Sequence, residues 1–250
     1  MAPDLTARPR DSAWVEFVGL PGAGKSEVSR AVAKVLRARR LAVFEPSYEL
    51  DHATPPAERR SSKLWLAVRA WAQSPRQSRF WLRTLVRSRQ ESRRRLGDAA
   101  INWFYLLGSA QRCAGVPGIH VFDQGLLQAL WSIGYAARRA EVVSPELLGR
   151  LTRALPRRAI VVFVDADLRI IRNRLTGRVK GRSLLERDLT NGHAAACLAK
   201  ATQILLRVEE IAWQLAHVHD AVVVRVNSDT AGSLPTSAAV IVDAIEELLI

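Results

Sequence analysis

The chain has 250 residues, 48% of them hydrophobic, enough for one large domain with a substantial core. A net charge of +13 and a pI near 11.0 point to polyanionic company, nucleotide phosphates first, although an Arg- and Ala-rich composition also follows from genome base content. No apolar run is long enough to cross a membrane, residues 1–12 lack the apolar stretch of a secretory leader, and two cysteines, Cys113 and Cys197, make neither a disulfide framework nor a metal site; the expectation is a cytoplasmic chain with a disordered tail over 1–12 and a single domain over 13–250.

In chain order, Trp14-Val15-Glu16-Phe17-Val18 reads as a buried strand. It runs into Gly19-Leu20-Pro21-Gly22-Ala23-Gly24-Lys25-Ser26, which fits the phosphate-binding pattern G-x-x-x-x-G-K-[ST]. Glu27 to Leu36 reads as a helix with Val28, Val32 and Val35/Leu36 on one face. The chemistry needs this order. Glycines at 19, 22 and 24 let the backbone turn tightly and approach an anion with no Cβ in the way. The freed N–H groups and the helix N-terminus, from Gly22 and Ala23 to Glu27, converge on phosphate oxygens. Lys25 reaches the outer phosphates, and the Ser26 hydroxyl is a candidate Mg²⁺ ligand.

Leu41 to Phe44 reads as a second strand, closed by Glu45-Pro46. Ligands of parallel α/β sheets sit beyond the carboxyl ends of the strands, so Glu45 is delivered to the nucleotide end, where it is a candidate general base on an acceptor hydroxyl. Tyr48, Glu49 and Asp51 follow as loop residues that can line an acceptor pocket.

From Pro55 to Arg95 the chain carries twelve Arg and Lys residues and two acids, Glu58 and Glu91. Leu64, Val68 and Trp71 recur at helical spacing, as do Trp81 and Leu85, with Pro75 between the two segments. Such basic amphipathic helices either cover the core with a solvated Arg face or lie on an anionic membrane surface. No nucleic-acid-binding motif accompanies the charge, and nucleic acid is not expected as a partner. Leu96 to Cys113 reads as a largely buried helix whose Asn102 and Trp103 are placed to flank an acceptor; the basic helical insertion thus runs over about 55–115.

Gly115 to Gly118 is a turn, and Ile119 to Asp123 is the third strand. Its terminal acid, Asp123, is where a second Mg²⁺-site residue is required. Gln124 is a candidate for orienting an acceptor or a water, and His120 reads as packing. Ser144-Pro145 opens a helix; Ala159 to Asp165 is the fourth strand, continuously apolar as central parallel strands are, and Asp167 caps the helix after it. That helix leads into a cationic lid at about 174–188 in which Arg174, Arg178 and Arg182 are candidates for neutralising the transferred phosphate. A long helix over 194–218, a strand at Ala221 to Val226, a loop at Asn227-Ser228-Asp229 placed to touch the nucleotide base through its backbone groups, and a closing helix complete the chain. The order of elements gives an α/β domain, a five-stranded parallel sheet wrapped by helices with an inserted helical cover; with the phosphate loop, the expectation is a three-layer P-loop NTPase fold.

The phosphate loop, the Phe44-Glu45-Pro46 turn, the Asp123 strand end, the Arg174 to Arg182 stretch and the Val226-Asn227-Ser228 loop together resemble the P-loop kinases of the thymidylate kinase and deoxynucleoside kinase group. The resemblance implies ATP and Mg²⁺ as cofactors, Glu45 contacting or deprotonating the acceptor, Asp123 at the metal, and Arg174 and Arg178 clamping the transferred phosphate. It departs at Gln124, where the group usually has an Arg that helps hold the acceptor or its phosphate. The expected activity is Mg-ATP-dependent phosphoryl transfer to a small hydroxyl- or phosphate-bearing acceptor: a nucleoside or nucleotide, a sugar or a natural product. The competing expectation is a nucleotide-binding regulator or slow NTPase acting on a macromolecular partner or at an anionic membrane. GTPase signatures, Asp-x-x-Gly after the third strand and Asn-Lys-x-Asp, are absent from the sequence.

Overall fold

Five runs rich in branched and aromatic residues pair in parallel to make the centre of the molecule. A computed structural model describes residues 12–177, 183–189, 194–230 and 232–249. The strands are β1 (Ser12–Val18), β2 (Val43–Phe44), β3 (Gly118–Phe122), β4 (Ala159–Asp165) and β5 (Ala221–Asn227). They lie in the order β2-β3-β1-β4-β5. Strand β1 is therefore central, with Glu16 level with Phe122 of β3 and Val18 level with Phe163 of β4. The loops leaving β1 and β3 emerge side by side at the carboxyl edge of the sheet, where this topology places its ligands. Ser12, expected at the end of the tail, is the first residue of β1 and pairs with Gly118. Strand β2 is shorter than expected: only Val43 and Phe44 keep strand pairing, while the Ala42 carbonyl accepts one bond from the Ile119 N–H.

Helices cover the sheet: α1 (Lys25–Ala38), α2 (Pro46–His52), α3 (Pro56–Gln73), α4 (Pro75–Arg87), α5 (Arg93–Cys113), α6 (Leu126–Ala136), the short α7 (Leu148–Leu151), α8 (Leu168–Thr176), α9 (Leu184–Leu189), α10 (Ala194–Val218) and α11 (Ser233–Leu249). α1 packs with α11, and α6 packs with α5 and α10. Prolines start α2, α3 and α4, where the missing N–H costs nothing. The Tyr48 to Asp51 segment, expected as loop, is the body of α2. Asp167 caps α8 as expected, its carboxylate accepting the Arg169 N–H. His120 packs as expected, stacked on Phe44.

The insertion corrects one expectation. Leu64 and Val68 do not face the core; they are exposed, and the buried face of α3 is Ala67 and Ala70. The cause is a close approach to α5. A Cβ on Gly108 would lie 2.5 Å from the Leu66 carbonyl oxygen. Helices that touch backbone to backbone leave room only for small side chains between them. Further along, Trp81 of α4 packs on Trp103 of α5 with ring centroids 4.4 Å apart, so Trp103 is core rather than an acceptor contact.

One charged residue lies inside the sheet layer. Glu16 of β1 is wholly buried, and both its carboxylate oxygens accept from the Leu127 N–H at the start of α6, at 3.2 and 3.4 Å. A Cβ on Gly125 would lie 1.7 Å from Glu16 Oε2, so the residue before α6 has to be glycine. Burial pushes the Glu16 carboxyl up to about 7, against the lowering pull of the Leu127 and Leu126 N–H groups. Between the ordinary value of 4.5 and about 7 the folded chain holds a proton that the unfolded chain has released. The stabilising contribution is thus complete below 4.5 and is lost as pH rises to about 7. Urea denaturation of Glu16→Gln across that window should show a flatter stability profile, with the wild type falling by about 3 kcal/mol more than the variant. Parallel profiles for the two proteins would show that Glu16 titrates in the folded chain as it does in the unfolded one.

Candidate active site

The turn after β1 is held by its own glycines. Gly22 and Gly24 have φ values of 86° and 84°, in the left-handed region, and Gly24 is the N-cap of α1. Gly19 lies against β4, where a Cβ would stand 2.5 Å from the Val164 carbonyl oxygen. The Gly19 N–H donates to Gln128 Oε1 at 2.9 Å. Lys25 Nζ donates to the Gly19 and Leu20 carbonyls at 2.8 and 3.0 Å, so its ammonium sits within the loop itself. Ser26 Oγ donates to Asp123 Oδ2 at 3.1 Å. The last residue of the motif and the acid beyond β3 are thus brought together, as expected from the sequence. Two hard oxygens at the mouth of an anion-binding loop fit Mg²⁺, which takes few protein ligands and fills the rest of its octahedron with phosphate and water. Among the described residues no cluster of three or more His, Cys, Asp or Glu offers a different metal centre.

A cleft of about 850 Å³ opens from this loop. Its lining takes Gly22, Gly24, Lys25, Ser26 and Glu27 from the loop and α1, Glu45 and Tyr48 from the start of α2, Gln124 from beyond β3, and Gln128, Trp131 and Tyr135 from α6. Glu45 is buried, and its Oε2 is 2.5 Å from Arg37 Nη1 in the last turn of α1. Arg37 Nη2 also donates to the Val43 carbonyl at 3.4 Å, so the guanidinium braces the end of β2 and the acid that follows it. Arg30 lies over the Tyr48 ring at 4.2 Å. On the far wall the Tyr135 hydroxyl donates to Asp188 of α9 at 2.7 Å, and burial with that carboxylate drives the phenol well above its ordinary range. A side chamber of about 50 Å³ continues past Asp51 and Gln124 to Lys63, Asn102 and Tyr105. Asn102 is placed where an acceptor contact was expected, and burial pushes the Tyr105 hydroxyl up to about 12.

Two expected residues bond within the loops at this edge. Arg174 donates to the Ser228 carbonyl at 2.7 Å and to the Gly22 carbonyl at 3.2 Å. It brackets the phosphate loop to the loop after β5, beside the turn where the donor phosphates were expected. Asn227 spends its side-chain amide on Asp229, donating to the carboxylate at 2.7 Å and accepting the Asp229 N–H at 2.7 Å. The residue of that loop that reaches the phosphate loop is Ser228, whose hydroxyl bonds the Ala23 carbonyl. Arg178 and Arg182 lie outside the described residues. Sequence reasoning missed Gln128, Arg37 and Tyr135. None belongs to a local pattern: Gln128 meets Gly19 across 109 positions, and only the arginine-rich end of α1 hinted at Arg37.

No family model matches the sequence, and no curated protein matches it. Solved structures do. A thymidylate kinase from Candida albicans aligns with a TM-score of 0.50 at 15% identity, over 95% of this chain and 94% of its own. A deoxyadenosine kinase from M. mycoides aligns at 0.46 and 14%, over 94% of this chain and 99% of its own. A shikimate kinase from Acinetobacter baumannii aligns at 0.45 and 16%, over 94% and 93% respectively. The match to the thymidylate kinase carries the structural conclusion: the parallel sheet and its flanking helices have the fold of P-loop kinases.

The packing of the loop predicts opposite responses at two glycines. Gly19→Ala should lower stability by about 1–3 kcal/mol, because the obstructing atom is backbone. Gly97→Ala, in α5 with nothing within 4 Å of the new methyl, should raise stability by about 0.5–1 kcal/mol. Chemical denaturation midpoints of the two variants check both signs.

Proposed function

We propose that the protein is a Mg-ATP-dependent phosphotransferase that acts on a small hydroxyl-bearing acceptor. The observation that carries this reading is the convergence on one cleft of the phosphate loop, the Ser26–Asp123 pair and a buried carboxylate, Glu45. The loop amides and Lys25 hold the terminal phosphates of the donor, with Ser26 and Asp123 as metal ligands. Bound Mg²⁺ would offset charge on the phosphate oxygens. Glu45 accepts the proton of the acceptor hydroxyl as its oxygen bonds to the γ-phosphorus; the bond to the β-bridging oxygen breaks, ADP leaves, and Glu45 returns the proton to solvent. Arg37 occupies one carboxylate oxygen, which fixes the other.

The acceptor side of the reading takes Gln124, Tyr48 and Trp131 from the cleft lining. An amide at position 124 offers hydrogen bonds and no full charge, which favours a hydroxylated acceptor over a phosphorylated one. Aromatic walls with a few polar groups suit a ring-bearing nucleoside, sugar or natural product.

Two measurements test the reading. Incubation with Mg-ATP and pooled nucleosides, nucleotides, sugars and hydroxylated antibiotics should yield a product heavier by one phosphoryl group in mass spectrometry, absent with Lys25→Ala. ATP binding with no phosphorylated product from the pool would favour a nucleotide-binding regulator instead. With the acceptor in hand, Arg37→Gln should cut kcat roughly tenfold while changing the KM for ATP less than about twofold, and Arg37→Lys should restore part of the loss. An unchanged kcat in Arg37→Gln would remove Arg37 from the account.

A further inference from the structure

The outward face of α3 combines features that a solvated cover helix does not need. Val68, Trp65 and Leu64 are 60%, 56% and 53% exposed. At 100° per residue, Leu64, Val68 and Ala72 follow one another on successive turns, with Trp65 beside them. Arg60 borders this stripe on one side and Arg69 on the other, both exposed, and the Arg69 guanidinium lies 5.4 Å from the centre of the Trp65 ring. The helix cannot roll to bury the stripe, because its opposite side is fixed by the Leu66–Gly108 backbone contact. α4 repeats the composition: Leu82 and Val86 are exposed among exposed Arg79, Arg83 and Arg87.

We infer that this face of α3 seats the protein on an anionic lipid bilayer surface. The charge decides among occupants. A second copy meeting the same face would bring Arg60 and Arg69 against their own equivalents, in a stretch, 55–95, that holds twelve Arg and Lys residues and two acids, Glu58 and Glu91. An anionic lipid surface supplies the missing negative charge. Its interfacial zone accepts a Trp–Leu–Val stripe, while the long arginine side chains reach outward to the headgroups. The apolar centre separates this surface from one built for nucleic acid, where arginines would converge on a phosphate track. Apolar insertion and charge are each weak anchors, so attachment is reversible and weakens with salt.

The test is co-sedimentation of the full chain with vesicles, independent of catalysis. Wild type should bind vesicles containing phosphatidylglycerol, bind pure phosphatidylcholine at least about tenfold less, and release as salt is raised. Trp65→Ser with Val68→Ser, and separately Arg60→Glu with Arg69→Glu, should each lower the partition coefficient about tenfold or more at unchanged Tm. Arg60→Lys with Arg69→Lys should retain binding, and Lys25→Ala should bind as wild type does, which keeps this inference separate from the phosphotransferase reading. Absence of binding to the anionic vesicles, binding unaffected by either pair of substitutions, or a dimer in solution that Trp65→Ser with Val68→Ser dissolves would each overturn it.

Discussion

The whole phosphate end depends on how the turn after β1 is held to the turn after β3. The sheet ladder ends at the pair Glu16 and Phe122, so Asp123 lies just beyond the last register that the strands enforce. From there two side chains cross in opposite directions. Glu16 reaches from β1 to the Leu127 N–H of α6, and Gln128 reaches back from α6 to the Gly19 N–H of the phosphate loop. Each satisfies a backbone donor that would otherwise be buried without a partner, so neither is free to drift. The Ser26–Asp123 distance is set by this double tie. The cost is a carboxylate inside the protein, with a glycine at 125 as the only residue that leaves room for it.

What the sequence disclosed follows from this division between local and distant causes. The phosphate loop, the apolar strands and the strand-terminal acids are contiguous patterns, and the structure puts Lys25, Ser26, Asp123 and Glu45 around one cleft as the order of elements implies. Gln128 and Arg37 were invisible because their roles exist only between elements. Glu16 was rightly placed in a buried strand, but an acid inside an apolar strand asks for a donor, and that question has an answer only once α6 is in place. Arg174 and Asn227 lie at the loops where they were expected, and the bonds they make there, to the Gly22 carbonyl and to Asp229, were not legible, since such partners leave no mark in a sequence.

The insertion shows the same limit in helical form. Periodicity identifies an apolar stripe without saying which way it faces. In α3 the larger residues look inward by pattern and outward in fact, because the true contact is backbone against backbone at Gly108 and is served by Ala67 and Ala70. Close helix contact reverses the usual rule that bulk marks the buried side.

That reversal couples the two faces of α3. Lys63 lies 5.3 Å from the centre of the Tyr105 ring and lines the side chamber, while Trp65, two residues on, is turned about 200° away and faces out. The rotation of α3 that gives the chamber its ammonium is therefore the same rotation that exposes Trp65 and Val68. A side chain at position 108 would push α3 off α5 and shift both together. The lining of the side chamber and the character of the outer surface thus follow from one helix setting, which the close approach at Gly108 holds.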